Sequence, residues 1–150
     1  AMEEMKITLH DSNAMVLGYG RIGKVLSRLL YGIGANVHVV ARNYGDLAWI
    51  ENNGYIPIHY KDIKSSLPKM DVVFNTIPQR ILERDMLNYS EKSCLIIDLA
   101  SLPGGVDIDA AKELNIKAIR ALGLPGKAAP VSAAKVIMNT IYNIIEELEV

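Results

Sequence analysis

The sequence alternates between short apolar runs and amphipathic stretches from residue 14 to residue 150, and this alternation restricts the fold more than any other feature. Runs such as "DVVFNT" and "CLIIDLA" are apolar almost throughout, as strands covered on both faces should be. The stretches between such runs carry apolar residues at helical spacing, as in "RIGKVLSRLLYGIG". The pattern predicts an α/β fold, a Rossmann-like doubly wound parallel sheet of about six strands with helices on both faces.

A proline supports one strand order. In a doubly wound sheet the order is 3-2-1-4-5-6, so the third strand lies at an edge. The third strand signal, "YIPI", contains Pro57, which has no N–H for a ladder and is tolerated at edges. Residues 14–150 are therefore predicted to form the domain, residues 1–13 to be a lead-in, and a long helix to begin at Pro130.

Composition and charge exclude several classes of function. The net charge is −1 with scattered basic residues, which argues against a nucleic-acid partner. No apolar stretch reaches the roughly 18 residues of a membrane span, and there is no secretory signal, so a cytoplasmic protein is predicted. The histidines have no metal-ligand spacing, and Cys94, the lone cysteine, is interpreted as a core thiol. Trp49 and the methionines are also interpreted as core or packing residues.

The stretch "GYGRIG" follows the first strand signal and opens the first helix signal. In this context the three glycines predict a phosphate-binding turn. Gly18 makes the tight turn, Gly20 admits a pyrophosphate close to the backbone, and Gly23 lets the helix pack on the strand. Helix N–H groups and the helix dipole then favour the phosphates. The predicted cofactor-binding residues here are Gly18, Tyr19, Gly20, Arg21, Ile22 and Gly23.

The stretch "VVARNYG" ends the second strand without the acid that usually binds the ribose of NAD. Arg42 stands there instead. A 2′-phosphate repels a carboxylate and attracts a guanidinium, whose planar fork donates two parallel hydrogen bonds. The sequence therefore predicts NADP rather than NAD, bound by Ala41, Arg42 and Asn43. The nearest acid, Asp46, is expected to start the next helix.

Three further loops follow strands four, five and six, and ligands of such sheets lie beyond these strand ends. They contain the stretches "FNTIPQ", "DLASLPGG" and "GLPGKAAP". No general acid or base is named by the sequence, and Lys127 is a catalytic candidate by position only. The predicted cofactor contacts in these loops are Asn75, Thr76, Ile77, Pro78, Asp98, Ala100, Ser101, Gly123, Leu124 and Pro125.

Four stretches together resemble the C-terminal domain of the dipicolinate synthase family, in its A subunit. They are "VLGYGRIGKVLSRLLYGIGANVHVVAR", "VVFNTIPQRIL", "LIIDLASLPGG" and "KAIRALGLPGKAAPVSAAKVI", within a resemblance that covers about residues 11–147. The last two are the most specific. The resemblance implies an NADP-dependent oxidoreductase that forms dipicolinate from a dihydro- or tetrahydrodipicolinate-type precursor during sporulation, in the cytoplasm of the mother cell. It also implies a small dicarboxylate substrate and a flavoprotein-like partner, the B subunit of dipicolinate synthase.

Family members carry an additional N-terminal domain. The resemblance thus implies that this chain is a cofactor domain with a remnant of an interdomain helix, inactive alone because half of the cleft is missing. A distant similarity to alanine dehydrogenases is weakened by Leu102 and Gly123, which replace their catalytic acid and asparagine.

Other interpretations stay open. A shikimate-dehydrogenase-like enzyme also often has arginine after strand two. A non-catalytic nucleotide sensor usually keeps the acid that Arg42 replaces. The long C-terminal helix packs either on its own sheet or on another copy, so the sequence leaves the oligomeric state undecided.

Overall fold

The computed structural model describes residues 8–123 and 130–147. The chain divides into two compact units, residues 1–120 and residues 121–150. The first unit contains a parallel sheet and its flanking helices. The second contains one long helix, Pro130–Glu147, which begins at the predicted proline.

Six parallel strands form one sheet in the order β3-β2-β1-β4-β5-β6. The predicted order is confirmed, and Pro57 lies in the edge strand β3. The strands are β1 (Asn13–Leu17), β2 (Asn36–Ala41), β3 (Ile56–His59), β4 (Val72–Asn75), β5 (Leu95–Asp98) and β6 (Lys117–Arg120).

The helices follow the predicted alternation, and two single 3₁₀ turns, Tyr60–Asp62 and Leu67–Lys69, flank the third. The second helix begins two residues earlier than "DLAWIENNG" suggests, because the Asn43 side chain caps it. The helices are α1 (Arg21–Gly32), α2 (Tyr44–Asn52), α3 (Ile63–Ser66), α4 (Arg84–Leu87), α5 (Ile108–Glu113) and α6 (Pro130–Glu147).

The core lies against the central strands, of which β4 and β5 are buried throughout and β1 is buried except at Asn13. Met15, Val73 and Ile96 belong to one continuous apolar cluster that includes Cys94. Burial raises the pKa of the Cys94 thiol to about 12, helped by the nearby carboxylates of Asp71 and Glu91. The prediction of a core thiol is confirmed.

Two helix surfaces differ from what periodicity suggests. Trp49 is predicted as a core or packing residue, but its side chain is 63% exposed, because α2 buries only Ile50. In α1 the apolar residues Ile22, Val25 and Leu29 are exposed. The residues of α1 that are buried are Gly23, Ser27 and Leu30.

Close packing explains why α1 buries small residues and exposes several larger apolar ones. A Cβ at residue 23 would lie 2.0 Å from the carbonyl oxygen of Gly18, so only glycine fits under the turn. One helical turn later the Ser27 hydroxyl donates to the Gly23 carbonyl at 2.8 Å. Small residues at 23 and 27 let α1 approach the sheet closely, and the apolar side chains of Ile22, Val25 and Leu29 point away.

Candidate functional site

The glycine turn joins the end of β1 to the start of α1. Gly18 has φ +99°, and a Cβ there would lie 2.8 Å from the side chains of Thr76 and Ile77. Gly18 and Gly23 are thus required by the backbone and its packing. Gly20 differs, since a Cβ there would meet nothing within 4 Å. Space beside Gly20 is what a ligand phosphate needs to approach the backbone.

The start of α1 also suits an anion. Gly20 occupies the N-cap position, no side chain caps the helix, and the first turn contains no acid. Backbone N–H groups at a helix start carry partial positive charge, which favours phosphate oxygens. The dinucleotide-binding geometry expected of "GYGRIG" is therefore compatible with the residues present.

A pocket of about 290 Å³ opens between this turn and the carboxyl end of β2. It brings together the predicted residues of the turn, of the β2 end and of the loop after β4. Three lining residues were not predicted as contacts, namely Val40, Asp46 and Tyr60. The lining residues are Gly18, Tyr19, Gly20, Val40, Ala41, Arg42, Asn43, Asp46, Tyr60 and Ile77.

Arg42 is the cation of this pocket. Its side chain is exposed, and its guanidinium carbon lies 4.8 Å from the centroid of the Tyr60 ring. Its Nη2 donates to Oε1 of Gln79 at 3.4 Å. The guanidinium therefore has an aromatic platform from one loop and a polar neighbour from another.

Tyr60 reaches the pocket because the chain turns sharply after β3. The Nδ1 atom of His59 accepts from the Lys61 N–H at 3.2 Å and caps the 3₁₀ turn that begins at Tyr60. Sequence reasoning missed Tyr60. The signal was available, since an aromatic residue directly after β3 must lie at the same sheet edge as the glycine turn and Arg42.

Asn43 and Asp46 are paired with each other. Oδ1 of Asn43 accepts from the Asp46 N–H at 2.7 Å, and Nδ2 of Asn43 donates to Oδ2 of Asp46 at 2.6 Å. Asp46 lies in the first turn of α2, as expected. Asn43, predicted as a further donor to phosphate, already uses both polar atoms of its side chain within this pair. The pocket consequently contains a carboxylate as well as a cation.

Asn75 and Asp98 are fully buried at the ends of β4 and β5. Nδ2 of Asn75 donates to Oδ1 of Asp98 at 2.8 Å and to the carbonyl oxygen of Ile77 at 2.9 Å. Oδ2 of Asp98 accepts from the N–H groups of Gly105 at 3.1 Å and Val106 at 3.3 Å. These two side chains tie the loop after β4 to the loop after β5, and their predicted cofactor contacts stay predictions.

The remaining predicted residues of these loops are placed differently from one another. Thr76 donates its hydroxyl to the Leu17 carbonyl at 2.8 Å, and Ala100 is buried. Pro78, Ser101 and Gly123 are exposed, and their cofactor contacts stay predictions. Leu124, Pro125 and Lys127 lie outside the described residues.

Arg21 and Ile22, at the start of α1, line a different surface. They border an apolar groove of about 400 Å³ together with Val25, Leu29 and other residues. Their predicted contribution to the phosphate turn is therefore through the backbone.

Residues 8–123 and 130–147 contain neither a candidate metal site nor a candidate membrane span. No three His, Cys, Asp or Glu side chains of this part lie close enough together to hold a metal ion. None of its helices combines the length and the apolarity that crossing a membrane requires.

Residues 1–122 match the family model described as shikimate / quinate 5-dehydrogenase. The chain belongs to this family. It is also 38% identical over 149 residues to the A subunit of dipicolinate synthase from Bacillus subtilis (strain 168). That match covers 99% of this chain and 50% of the relative, so the chain spans about half the length of the curated relative it matches. The resemblance to the A subunit of dipicolinate synthase is confirmed.

Solved structures agree with the resemblance to the A subunit of dipicolinate synthase. The A chain of dipicolinate synthase from Bacillus subtilis superposes with a TM-score of 0.96 at 38% identity, over 99% of this chain and 50% of that chain. The corresponding structure from Bacillus halodurans has a TM-score of 0.93 at 35% identity, over 96% of this chain and 50% of that chain. Glutamyl-tRNA reductase from Methanopyrus kandleri, at 21% identity and a TM-score of 0.67 over 98% of this chain and 41% of that chain, shares the fold alone.

Proposed function

We propose that this chain is the NADP-binding domain of an oxidoreductase that acts as the A subunit of dipicolinate synthase does. The observation that carries the proposal is the Arg42 guanidinium in a pocket beside the glycine turn. Because the chain belongs to a family of dehydrogenases, we expect it to bind a nicotinamide nucleotide. The positive charge of Arg42 favours NADP over NAD.

Each part of the pocket has a proposed task. The backbone of Gly18 and Gly20 and the start of α1 hold the pyrophosphate, and the pocket at the end of β2 holds the adenosine. Arg42 binds the 2′-phosphate through its donor fork. NADP, when bound, supplies the hydride acceptor, whereas the protein contributes position and charge.

NAD is the second candidate, because Asp46 lines the same pocket. A carboxylate there can accept from ribose hydroxyls and repel a phosphate. We favour NADP because Oδ2 of Asp46 already accepts from Asn43 at 2.6 Å, whereas the exposed Arg42 guanidinium keeps N–H donors beyond the one that it gives to Gln79.

We further propose the reaction and partners of dipicolinate synthase, on the support of 38% identity to its A subunit. The reaction is oxidation of a dihydro- or tetrahydrodipicolinate-type precursor in the cytoplasm of a sporulating mother cell. The proposed partners are the B subunit of dipicolinate synthase and an N-terminal substrate domain like that of the longer relatives, without which this chain does not turn over substrate. A cleft with one wall cannot hold the substrate carbon against the nicotinamide.

Lys127 is proposed to orient a substrate carboxylate, because a flexible ammonium binds an anion without bidentate geometry. In a full-length enzyme with its B subunit, Lys127→Ala should raise the substrate KM or lower kcat and leave NADP affinity nearly unchanged. Unaltered substrate kinetics would remove Lys127 from the site.

The nucleotide assignment is tested by calorimetry on the 150-residue chain. NADP should bind roughly ten- to a hundredfold more tightly than NAD, the amount that one charged bidentate contact supplies. Arg42→Ala should abolish the difference. Arg28→Ala, at an exposed arginine about two turns along α1, is the control and should preserve it. Equal affinities in the unaltered chain would contradict the proposal.

A further inference from the structure

The Tyr60 ring is held by packing, whereas the Arg42 side chain is exposed. The Tyr60 ring is half-buried and packs against the main apolar cluster of the domain. Arg42 follows β2 with an exposed side chain whose contacts are this ring and Gln79. A rigid ring beside a flexible cation restricts the cation more than the cation restricts the ring.

Such restriction has a consequence for binding. A free arginine side chain samples many rotamers, and immobilising it on a ligand costs conformational entropy. A guanidinium held over an aromatic face has lost much of that freedom before the ligand arrives. Because NAD lacks the 2′-phosphate, this gain applies to NADP alone.

From this geometry we infer that Tyr60 positions the Arg42 guanidinium and thereby sets the preference for NADP over NAD. The inference rests on the proposed nucleotide function of the pocket and adds a specificity-determining residue to it. Tyr60 lies on the loop after the edge strand β3, whereas Arg42 directly follows β2, so two separate elements determine the selectivity.

A second aromatic–cation pair provides a matched control. Nζ of Lys64 lies 4.4 Å from the centroid of the Tyr89 ring, a distance close to the 4.8 Å between Arg42 and the Tyr60 ring. Neither Lys64 nor Tyr89 lines the pocket at the glycine turn. Removing the Tyr89 ring should therefore leave nucleotide selectivity unchanged.

The test measures dissociation constants of NADP and NAD by calorimetry on the 150-residue chain and its variants. Tyr60→Met keeps an apolar side chain but removes the aromatic face. It should lower the NADP-over-NAD ratio roughly three- to thirtyfold, the range of a cation–π contact. Tyr60→Phe should retain the ratio, and Tyr89→Met is the control. The fragments 2′,5′-ADP and 5′-AMP should show the same change in ratio, which assigns it to the adenosine end.

Two further variants distinguish the effect of the Tyr60 ring on Arg42 from an effect on folding. Tyr60→pentafluorophenylalanine preserves the ring shape and inverts its electrostatic face, so it should lower the ratio even if Tyr60→Met does not fold. In an Arg42→Ala background, Tyr60→Met should have no further effect on the ratio, because the two residues act as one unit.

Different results would contradict the role of Tyr60 and the assignment of NADP. If Arg42→Ala abolishes the preference but both Tyr60 replacements leave it intact, Tyr60 is a packing residue and the NADP assignment stands. If the unaltered chain binds NADP and NAD equally, both ideas are overturned.

Discussion

Two clusters of polar side chains lie at the carboxyl edge of the same sheet and use their polar atoms in opposite ways. At the end of β2, Arg42 is exposed and Asp46 half-buried, and both line an open pocket. At the ends of β4 and β5, Asn75 and Asp98 are fully buried and bonded to each other and to loop backbone. A polar residue after a strand therefore indicates either a ligand contact or a loop anchor, and solvent access separates the two.

The largest effect is expected at the buried cluster. Each carboxylate oxygen of Asp98 accepts from two N–H donors, so an amide in either orientation places its NH₂ against donors. Asp98→Asn should lower the free energy of unfolding by about 3–5 kcal/mol, the loss of two hydrogen bonds to a charged group. Urea denaturation measures the change. Asp109→Asn, on the exposed side of α5, is the control and should stay within about 0.5 kcal/mol. A small effect at Asp98 would show that the loops do not depend on it.

A large effect on binding is expected at the exposed cluster. Arg42→Asp replaces the cation of the pocket with an acid, which attracts ribose hydroxyls and repels a 2′-phosphate. NADP affinity should fall more than roughly a hundredfold relative to NAD, so that the preference reverses. Calorimetry with both nucleotides measures this ratio, and the unfolding free energy should change little because Arg42 is exposed. A retained preference for NADP would place the 2′-phosphate elsewhere.

Two glycines sharpen the comparison. A Cβ at Gly105 would lie 2.3 Å from Nδ2 of Asn75 and 2.6 Å from the Ile77 carbonyl oxygen, whereas one at Gly20 would meet nothing within 4 Å. Gly105→Ala should destabilise the fold by about 1–3 kcal/mol through overpacking. Gly20→Ala should change the free energy of unfolding by about 0.5 kcal/mol or less and should weaken the binding of both NADP and NAD. Thermal unfolding and calorimetry on both variants check this, and an unstable Gly20→Ala protein with normal binding would contradict it.

The smallest effect is expected at Asp46, which is half-buried and already paired with Asn43. Asp46→Asn removes the acid from the pocket while the backbone N–H that Asn43 caps remains. Affinity for NADP should rise about two- to fivefold, the size of a screened interaction between partly exposed charges. Affinity for NAD should stay constant or fall. If NAD binding collapses while NADP binding does not improve, Asp46 is a ribose ligand and the NAD alternative gains support.

Much of the fold was predictable because it depends on local pattern. Apolar runs marked the buried strands, and Pro57 marked the edge of the sheet through its missing N–H. The glycine turn was also predictable, since Gly18 and Gly23 meet backbone and side-chain atoms that leave no room for a Cβ. Trp49 was misassigned because α2 has a weak apolar face that buries little beyond Ile50.

The site was predictable only in part. The sequence by itself determined the strand order, the turn and the cation at the end of β2, because each depends on the residue type at one position and its immediate neighbours. Only the tertiary structure decided that Tyr60 lies beside Arg42. It also decided that Asn75 and Asp98 are buried and hydrogen-bonded to each other. These outcomes depend on partners 18 to 37 residues apart or on different strands, and hydrogen-bond satisfaction between such partners is settled only when the loops pack.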